Sequence, residues 1–338
     1  MENKYFRPIL NTGNKPADAL DLAGGWTWFD RVEVMIRGQE AQFIAASDLH
    51  SDIKSALTQP RPDLAGLSFT APRVLGIVNV TPDSFSDGGL YADTFAAVAH
   101  AKALVDDGAD ALDIGGESTR PGAVTVPADQ EAARVMPVIE QLLADGVTQL
   151  SVDTRKASVA QAALSAGAPL VNDVSALAYD PEMASTIAGH RAAVCLMHAQ
   201  GSPADMQIDP QYQDVVLDVF DALSAAVNRA TTAGIARSRI LVDPGIGFGK
   251  TLEHNLALLR NLSLFHGLGC PILLGASRKR FIGTIAQAEN AADRVSGSIA
   301  VALAGIAQGI QVVRVHDVAE TVQAIALWSA AHGMRQSG

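Results

Sequence analysis

The chain has 338 residues, and 25 Lys and Arg residues against 36 Asp and Glu residues give it a formal net charge of −11. This acidic balance argues against nucleic acid or an anionic membrane as a partner, so an anionic ligand needs a local basic cluster. With 48% hydrophobic residues, the chain can fill the core of one large α/β domain and a smaller appendage. It has no apolar run of membrane-spanning length, and its first fifteen residues include no apolar run of the signal-peptide type. We therefore expect a cytoplasmic protein in which Cys195 and Cys270 are buried free thiols.

Residues 1–70 differ from the rest of the chain and form a predicted N-terminal extension. Residues 29–37 partly alternate apolar and charged side chains, as a half-exposed strand does, and a turn leads to a second strand near residues 42–46. Prolines and a glycine between residues 59 and 72 suggest a linker. We expect a β-rich extension and assign it no chemistry.

From residue 71 to 338, strand and helix patterns alternate regularly. Buried-strand patterns cover residues 74–80, 111–115, 150–153, 170–174, 193–197, 240–243, 271–275 and 312–315. Ala-rich stretches with helical periodicity lie between them, including residues 95–105, 130–143, 159–166, 212–233, 252–262, 291–308 and 318–331. This pattern predicts an α/β fold, a closed (β/α)8 TIM barrel, with an open doubly wound sheet as the alternative. No glycine-rich dinucleotide fingerprint follows the first strand, which favours closure.

Polar side chains follow each predicted strand, beginning with the stretch VLGIVNVTPDSFSDGG at residues 74–89. The C-terminal ends of barrel strands carry the chemistry of such enzymes, so these side chains converge on one mouth. One set is acidic or amide: Asp113, Asp153, Asn172 and Asp243. It suits a flat heterocycle that offers a ring N–H beside an amino group, two parallel donors like those of a guanidinium. The structural alternative pairs Asp113 and Asp153 with Arg155, Lys156 or Arg120.

A second set of side chains at the same end is cationic and comprises Arg120, Arg278, Lys279, Arg314 and His316. With a divalent ion on Asn79, this set predicts a phosphate or diphosphate site. A helix starting near Lys279 would add its positive N-terminal dipole. The Gly-Phe-Gly-Lys stretch at residues 247–250 lacks the spacing of a nucleotide-binding loop. The remaining histidines lack a partner motif, and we expect them at the surface: His50, His100, His190, His254, His266 and His332.

These polar segments resemble, in order, the motifs of the dihydropteroate synthase family. They read NVTPDSFSDGG, DIGGESTRPGA, SVDT, LVNDVSAL, LMHAQGSP, LVDPGIGFGKT, LLGASRKRFIG and VRVHDV. The resemblance implies a TIM barrel that joins 6-hydroxymethyl-7,8-dihydropterin diphosphate to 4-aminobenzoate in folate synthesis. It also implies a requirement for Mg²⁺ and a homodimer formed through barrel helices.

The resemblance also assigns roles to residues of this sequence, with Asn79 as the metal ligand. The catalytic residues it implies are Asp113, Arg120, Asp243, Lys279, Arg314 and His316. The substrate-binding residues it implies are Phe85, Thr119, Arg120, Pro121, Asp153, Asn172, Met197, Asp243, Phe248, Gly275, Lys279, Arg280, Arg314 and His316. Asp113 is similar to a family carboxylate that organises the flexible loops. Arg280 stands where many relatives carry a serine that binds the aminobenzoate carboxylate.

The implied reaction fits the residues, because a neutral aniline-type amine needs no strong base and the barrier lies in C–O cleavage. We expect an SN1-like displacement in which Mg²⁺, Arg314 and His316 stabilise the leaving diphosphate. Two alternatives remain. One is a methyltetrahydrofolate:corrinoid methyltransferase-like enzyme, which handles no diphosphate and would not need these cations. The other is a pterin-binding scaffold without catalysis, which loss of a loop or a cation would indicate.

Overall fold

The computed structural model describes residues 4–80, 89–118, 123–201 and 206–334, with the backbone alone for residues 89–93. Its centre is an eight-stranded parallel sheet. The strands are β6 (Arg73–Asn79), β7 (Ala111–Gly115), β8 (Leu150–Asp153), β9 (Leu170–Asp173), β10 (Ala193–Met197), β11 (Ile240–Asp243), β12 (Leu273–Leu274) and β13 (Val312–Val315). They lie in the order β11-β10-β9-β8-β7-β6-β13-β12. A parallel bridge between Val242 and Ile272 joins β11 to β12, so the sheet closes into the predicted TIM barrel.

The helices surround the barrel and follow the strands in the alternation that the sequence predicts. They are α2 (Gly89–Asp106), α3 (Ala128–Ala144), α4 (Ala157–Ala166), α5 (Met183–His190), α6 (Val215–Thr232), α7 (Leu252–Arg260), α8 (Arg280–Ala286), α9 (Val295–Ile306) and α10 (Val318–Ala331). Helix α8 begins next to Lys279, as expected, whereas α5 was not predicted. In α5, the short sequence MASTIAGH combines Thr186 and Gly189, which are weak helix formers. In the described ranges, every helix is too short or too polar to cross a bilayer.

The N-terminal extension is β-rich and adds a small layer to the outside of the barrel. Its strands are β1 (Lys4–Pro8), β2 (Leu20–Asp21), β3 (Trp28–Phe29), β4 (Arg31–Ile36) and β5 (Gln42–Ala45), followed by helix α1 (Ser51–Thr58). The strands β1, β4 and β5 form an antiparallel sheet, which confirms the two predicted strands and adds β1 to them. This layer has its own apolar core, with Leu22, Phe29, Val32 and Leu57.

The segment between the extension and the barrel does more than connect them. Leu64, Leu67 and Phe69 are buried in one cluster with Leu75 of β6 and Val312 of β13. These strand residues stand near the beginning of their strands, so the segment plugs the N-terminal end of the barrel. The opposite end, where the strands finish, is left for a ligand.

Candidate active site

Strand alternation places the predicted site residues inside the barrel. Every second side chain of a strand points to the same face. The apolar interior layer contains Leu75, Ala111, Leu170, Ala193, Cys195, Leu241, Leu273 and Val312. Counting on in steps of two towards the strand ends reaches Asn79, Asp113, Asn172, Met197, Asp243, Gly275, Arg314 and His316. Asp153 belongs with them, since its partners in the parallel register are Gly115 and Asn172.

A hydrogen-bonded network joins four of these side chains across the barrel interior. Oδ2 of Asp113 accepts hydrogen bonds from Nδ2 of Asn172 at 2.8 Å and from Nε of Arg314 at 2.5 Å. The same guanidinium donates from Nη2 to Oδ2 of Asp153 at 2.8 Å. Oδ1 of Asp113 is buried without a donor among the described residues. Since buried polar atoms are normally satisfied, this oxygen is an acceptor available to a ligand.

Asp243 and Lys279 form the neighbouring part of the mouth. Oδ1 of Asp243 accepts from the Gly245 amide at 2.7 Å. A Cβ atom at Gly275 would lie 3.4 Å from Oδ2 of Asp243, so the glycine keeps the space beside that oxygen clear. Lys279 donates to the carbonyl oxygen of Ile246, and its ammonium lies 4.5 Å from the centroid of the Phe248 ring. The result is a carboxylate, an ammonium group and an aromatic face around one opening.

Burial perturbs the ionisable groups of this mouth. It raises the pKa of Asp153 to about 7, although the nearby Arg314 acts in the opposite direction. It also raises the pKa of Asp243, against the opposing influence of Lys279. Burial lowers the pKa of Lys279 to about 8, and Asp243 opposes this shift. A heterocycle with several N–H donors would therefore stabilise the charged forms of Asp153 and Asp243, because it replaces the water that burial removes.

The loops after β10 and β11 lock together beside this opening. A Cβ atom at Gly245 would stand 1.8 Å from the carbonyl oxygen of His198, and the φ of +67° also favours glycine there. Lys250 lies 2.9 Å from Nδ1 of His198 and donates to the carbonyl oxygen of Phe248 at 2.9 Å. The sequence alone did not predict this contact between the two loops. The signal for it was the position of Lys250 after two closely spaced glycines.

A buried cluster of four charges supports the loop after β7. Glu117 accepts from the Val126 amide at 2.8 Å and pairs with Arg155 at 3.2 Å and with Lys156 at 3.0 Å. Lys156 also pairs with Glu131 of α3, which is completely buried. Glu117 thus ties residue 126, on one side of the loop, to residues 155 and 156 after β8. The sequence alternative, in which Arg155 or Lys156 pairs with Asp113 or Asp153, is wrong because Glu117 and Glu131 hold these cations.

The remaining predicted residues are placed as follows. Asn79 is partly exposed at the end of β6, and Met197 is buried opposite Asp243 in the register. Nδ1 of His316 lies 3.0 Å from Oγ of Ser277, and Arg280 is exposed at the first residue of α8. Phe85, Thr119, Arg120 and Pro121 lie outside the described residues.

Two expectations, for Arg278 and His266, differ from the structure. Arg278, assigned to the cationic set, instead donates from Nε to Asp317 at 3.0 Å. Asp113 bonds to Asn172 and Arg314 inside the barrel, and its role in organising the loops stays a prediction. His266, expected at the surface, is completely buried because the N-terminal layer covers it. Its Nε2 lies 3.0 Å from the carbonyl oxygen of Gln308. By contrast, Cys195 and Cys270 are buried free thiols, as predicted.

Comparison with known proteins identifies the family. The pterin binding enzyme family matches residues 75–316. The dihydropteroate synthase of Neisseria meningitidis serogroup B is 49% identical over 266 residues, which cover 77% of this chain and 92% of the relative. The Xanthomonas albilineans dihydropteroate synthase with 4-aminobenzoic acid has a TM-score of 0.77 and 48% identity, covering 82% of this chain and 100% of that one. Its complex with 7,8-dihydropteroate has a TM-score of 0.74 and 46% identity, with the same coverage.

The barrel, the polar network at the ends of its strands and these similarities agree. The chain belongs to the dihydropteroate synthase family of pterin-binding enzymes.

Proposed function

We propose that the protein joins 6-hydroxymethyl-7,8-dihydropterin diphosphate to 4-aminobenzoate and releases 7,8-dihydropteroate and diphosphate. Its family makes it a transferase of folate biosynthesis. The observation that carries the proposal is the set of polar side chains that five strands bring to the barrel interior: Asp113, Asp153, Asn172, Asp243 and Arg314. One of their oxygens, Oδ1 of Asp113, has no donor among the described residues.

This interior is suited to a pterin ring. The ring is flat and carries N–H and amino donors, so it can satisfy the buried oxygens of Asp113, Asp153 and Asp243. Their desolvation in the free protein makes such donors worth more than they would be in water. Gly275 leaves space beside Asp243, and the Phe248 ring adds an aromatic surface at the edge. We place the diphosphate outside the ring, near Arg314 and His316.

The chemical step breaks the C–O bond at the pterin methylene, and the diphosphate leaves with the electron pair. The neutral amine nitrogen of 4-aminobenzoate then bonds to this carbon and loses its proton to water. Asp153 and Asp243 hold the electron-rich ring on which positive charge develops, which favours an SN1-like displacement. Arg314 and His316, together with Arg120, which lies outside the described residues, stabilise the leaving group. Arg280, exposed beside Lys279, is our candidate for the aminobenzoate carboxylate.

The donors at the mouth are compatible with Mg²⁺. The described residues contain no group of three or more His, Cys, Asp or Glu side chains that could hold a metal. Mg²⁺ commonly uses one or two protein oxygens and completes its shell with water and substrate phosphates. The amide oxygen of Asn79 at the end of β6 is such a donor. When bound, the ion would supply positive charge to the leaving diphosphate.

We also propose a homodimer formed through α9 and α10. Helix α9 carries no charged residue, and α10 carries only Glu320. The side chain of Leu327 is 69% exposed, and Ala300, Ala304, Ala326 and Ala330 are exposed as well. A charge-poor exposed face of this kind favours contact with a second copy. Sedimentation should give a dimer for the wild type and a monomer for Leu327→Glu, and a monomeric wild type would overturn this part.

Product formation tests the proposed reaction. The purified protein, given both substrates and Mg²⁺, should form dihydropteroate, which chromatography detects. Asp243→Asn should lower kcat by about 100-fold or more, because it removes a charge that stabilises the transition state. Asp173→Asn is the matched control, since Asp173 is buried like Asp243 but binds the backbone and side chain of Ser175. Absence of product from the wild type, or normal turnover by Asp243→Asn, would contradict the proposal.

A further inference from the structure

The N-terminal sheet is fixed to the barrel on the side of α6. Tyr5 of β1 is buried against Phe220 of α6, with ring centroids 5.5 Å apart. Oγ of Ser263 donates to the carbonyl oxygen of Pro8 at 3.0 Å. The family match begins at residue 75, so this sheet lies outside the matched segment. The reaction proposed above assigns it no role.

Arg37, the residue directly after β4, connects this sheet to the first turns of α6. Its Nη1 donates to Oδ1 of Asp218 at 2.6 Å, and its Nη2 donates to Oδ2 of Asp221 at 2.8 Å. Tyr5 donates to the same oxygen of Asp221 at 2.9 Å. The planar guanidinium group holds the two carboxylates with two different nitrogens, a rigid fork that the single ammonium nitrogen of a lysine lacks.

Asp218 carries the connection from α6 into the loop before it. Its second oxygen, Oδ2, accepts from the backbone amides of Gln213 at 2.9 Å and Asp214 at 3.2 Å. Asp214 is the N-cap of α6 and accepts from the amides of Val216 and Leu217. One carboxylate therefore joins Arg37 to the last residues of the loop between β10 and α6.

The same loop contacts the loop that bears Phe248. The hydroxyl of Tyr212 donates to the carbonyl oxygen of Gly249 at 2.8 Å, and Nε2 of Gln207 donates to that of Gly247 at 2.7 Å. Phe248 lies between these two glycines and against the ammonium of Lys279. A continuous series of contacts thus runs from the N-terminal sheet to the mouth of the barrel.

We propose that the N-terminal sheet is a brace for the loop at residues 206–214, and that Arg37 is a positioning residue of the active site. Arg37 fixes Asp218, Asp218 fixes the end of the loop, and the loop holds the backbone on both sides of Phe248. The kinetic part of this inference rests on the proposed function. The structural part concerns the order of the loop and does not depend on it.

The main variant is Arg37→Met, which keeps the apolar stem and removes the guanidinium. The amides of Gln213 and Asp214 should lose hydrogen-exchange protection by about fivefold, the size of effect expected for a partly exposed ion pair. The KM for pterin diphosphate should rise by a similar factor, while kcat changes little. Arg37→Lys should restore part of the protection and of the affinity, because it keeps the charge but lacks the fork that spans both carboxylates.

Arg7→Met is the matched control. Arg7 forms a 2.5 Å ion pair with Glu33 inside the same sheet, with 21% and 15% of the two side chains exposed. We expect this control to leave the exchange of Gln213 and Asp214 and the KM unchanged. Asp218→Ala should increase the exchange at least as much as Arg37→Met, because it removes the direct acceptor of both amides. The exchange in the double variant should be no faster than in Asp218→Ala, since the two residues act in series.

Two results would overturn the brace. One is unchanged exchange at residues 213 and 214 in Arg37→Met, and the other is an equal change in Arg7→Met, which would indicate a general effect of the sheet on stability. A wild-type protein that makes no dihydropteroate would contradict the proposed function instead. In that case the exchange experiment would still test the brace by itself.

Discussion

Arg314 of β13 donates a hydrogen bond to Asp153 of β8, with 2.8 Å between Nη2 and Oδ2. The cation assigned to the diphosphate is thus held, in the free protein, by a carboxylate assigned to the pterin. A pterin that donates to Asp153 can take the place of the guanidinium group. We therefore expect the pterin ring, once bound, to release Arg314 from Asp153, so that Arg314 can then bind the diphosphate.

Arg314→Met should impair both catalysis and stability. The kcat/KM for pterin diphosphate should fall by about 100-fold or more, because a cation that stabilises the leaving group is lost. The free energy of unfolding should fall by about 3–5 kcal/mol, because Asp113 and Asp153 lose the cation that compensates them. Steady-state diphosphate release and urea unfolding measure the two effects. Arg314→Lys, which keeps the charge without the fork, should be intermediate, and wild-type kcat/KM in Arg314→Met would refute this role.

Asp153 should give the free protein a specific pH dependence of stability. Its pKa is raised to about 7 in the folded protein, from an ordinary value of 3.8. The folded state therefore prefers the neutral form of Asp153. The contribution of this preference to the free energy of unfolding is complete below about pH 4 and is lost as the pH rises through about 7. The difference in melting temperature, Asp153→Asn minus wild type, should increase from pH 5 to pH 8. A constant difference across that range would show that burial of Asp153 does not dominate its ionisation.

Lys279 should set the alkaline limit of activity. Burial lowers the pKa of its ammonium to about 8, so the positive charge beside Asp243 is lost as the pH rises through that value. The kcat/KM for pterin diphosphate should then decline above about pH 8. Lys279→Arg, which stays charged, should be less active but should lack this decline. An identical alkaline limb in Lys279→Arg would assign the titration to another group.

Glu117 should be important for stability as well as for the loop after β7. Glu117→Gln leaves Arg155 without its carboxylate partner in a buried cluster, and we expect a loss of about 3–5 kcal/mol in urea unfolding. Lys102→Met is the control, since it breaks the more exposed Lys102–Asp145 ion pair and should lower the free energy of unfolding far less. Equal costs for the two variants would show that the buried cluster is not a special anchor.

The sequence was sufficient to predict the barrel and the side of it that carries the site. Continuous apolar runs marked β7, β8, β10, β11 and β13 with the bounds that the structure gives. Side chains alternate along a strand, so the apolar residues of a strand predict which face of the sheet the residue at its end lies on. This is why Asp113, Asn172 and Asp243 could be grouped before any contact was known.

Contacts between distant parts of the chain could not be predicted in this way. The pairing of Arg314 with Asp113 joins residues 201 positions apart, and local pattern alone gives no partner for a cation. The burial of His266 depends on the N-terminal layer, whose strand β1 was missed because the sequence KYFRP lacks clear alternation. Leu64 and Leu67 were not predicted to be buried, because the prolines around them suggested a linker, although they plug the barrel.

The most direct test of the central claim is diphosphate release by the wild-type protein with pterin diphosphate and Mg²⁺, measured with and without 4-aminobenzoate. We predict rapid release that requires the amine and is matched mole for mole by dihydropteroate. Tight binding of pterin diphosphate without release would contradict the claim, because it would mean that the polar network in the barrel mouth holds the pterin but does not catalyse its transfer.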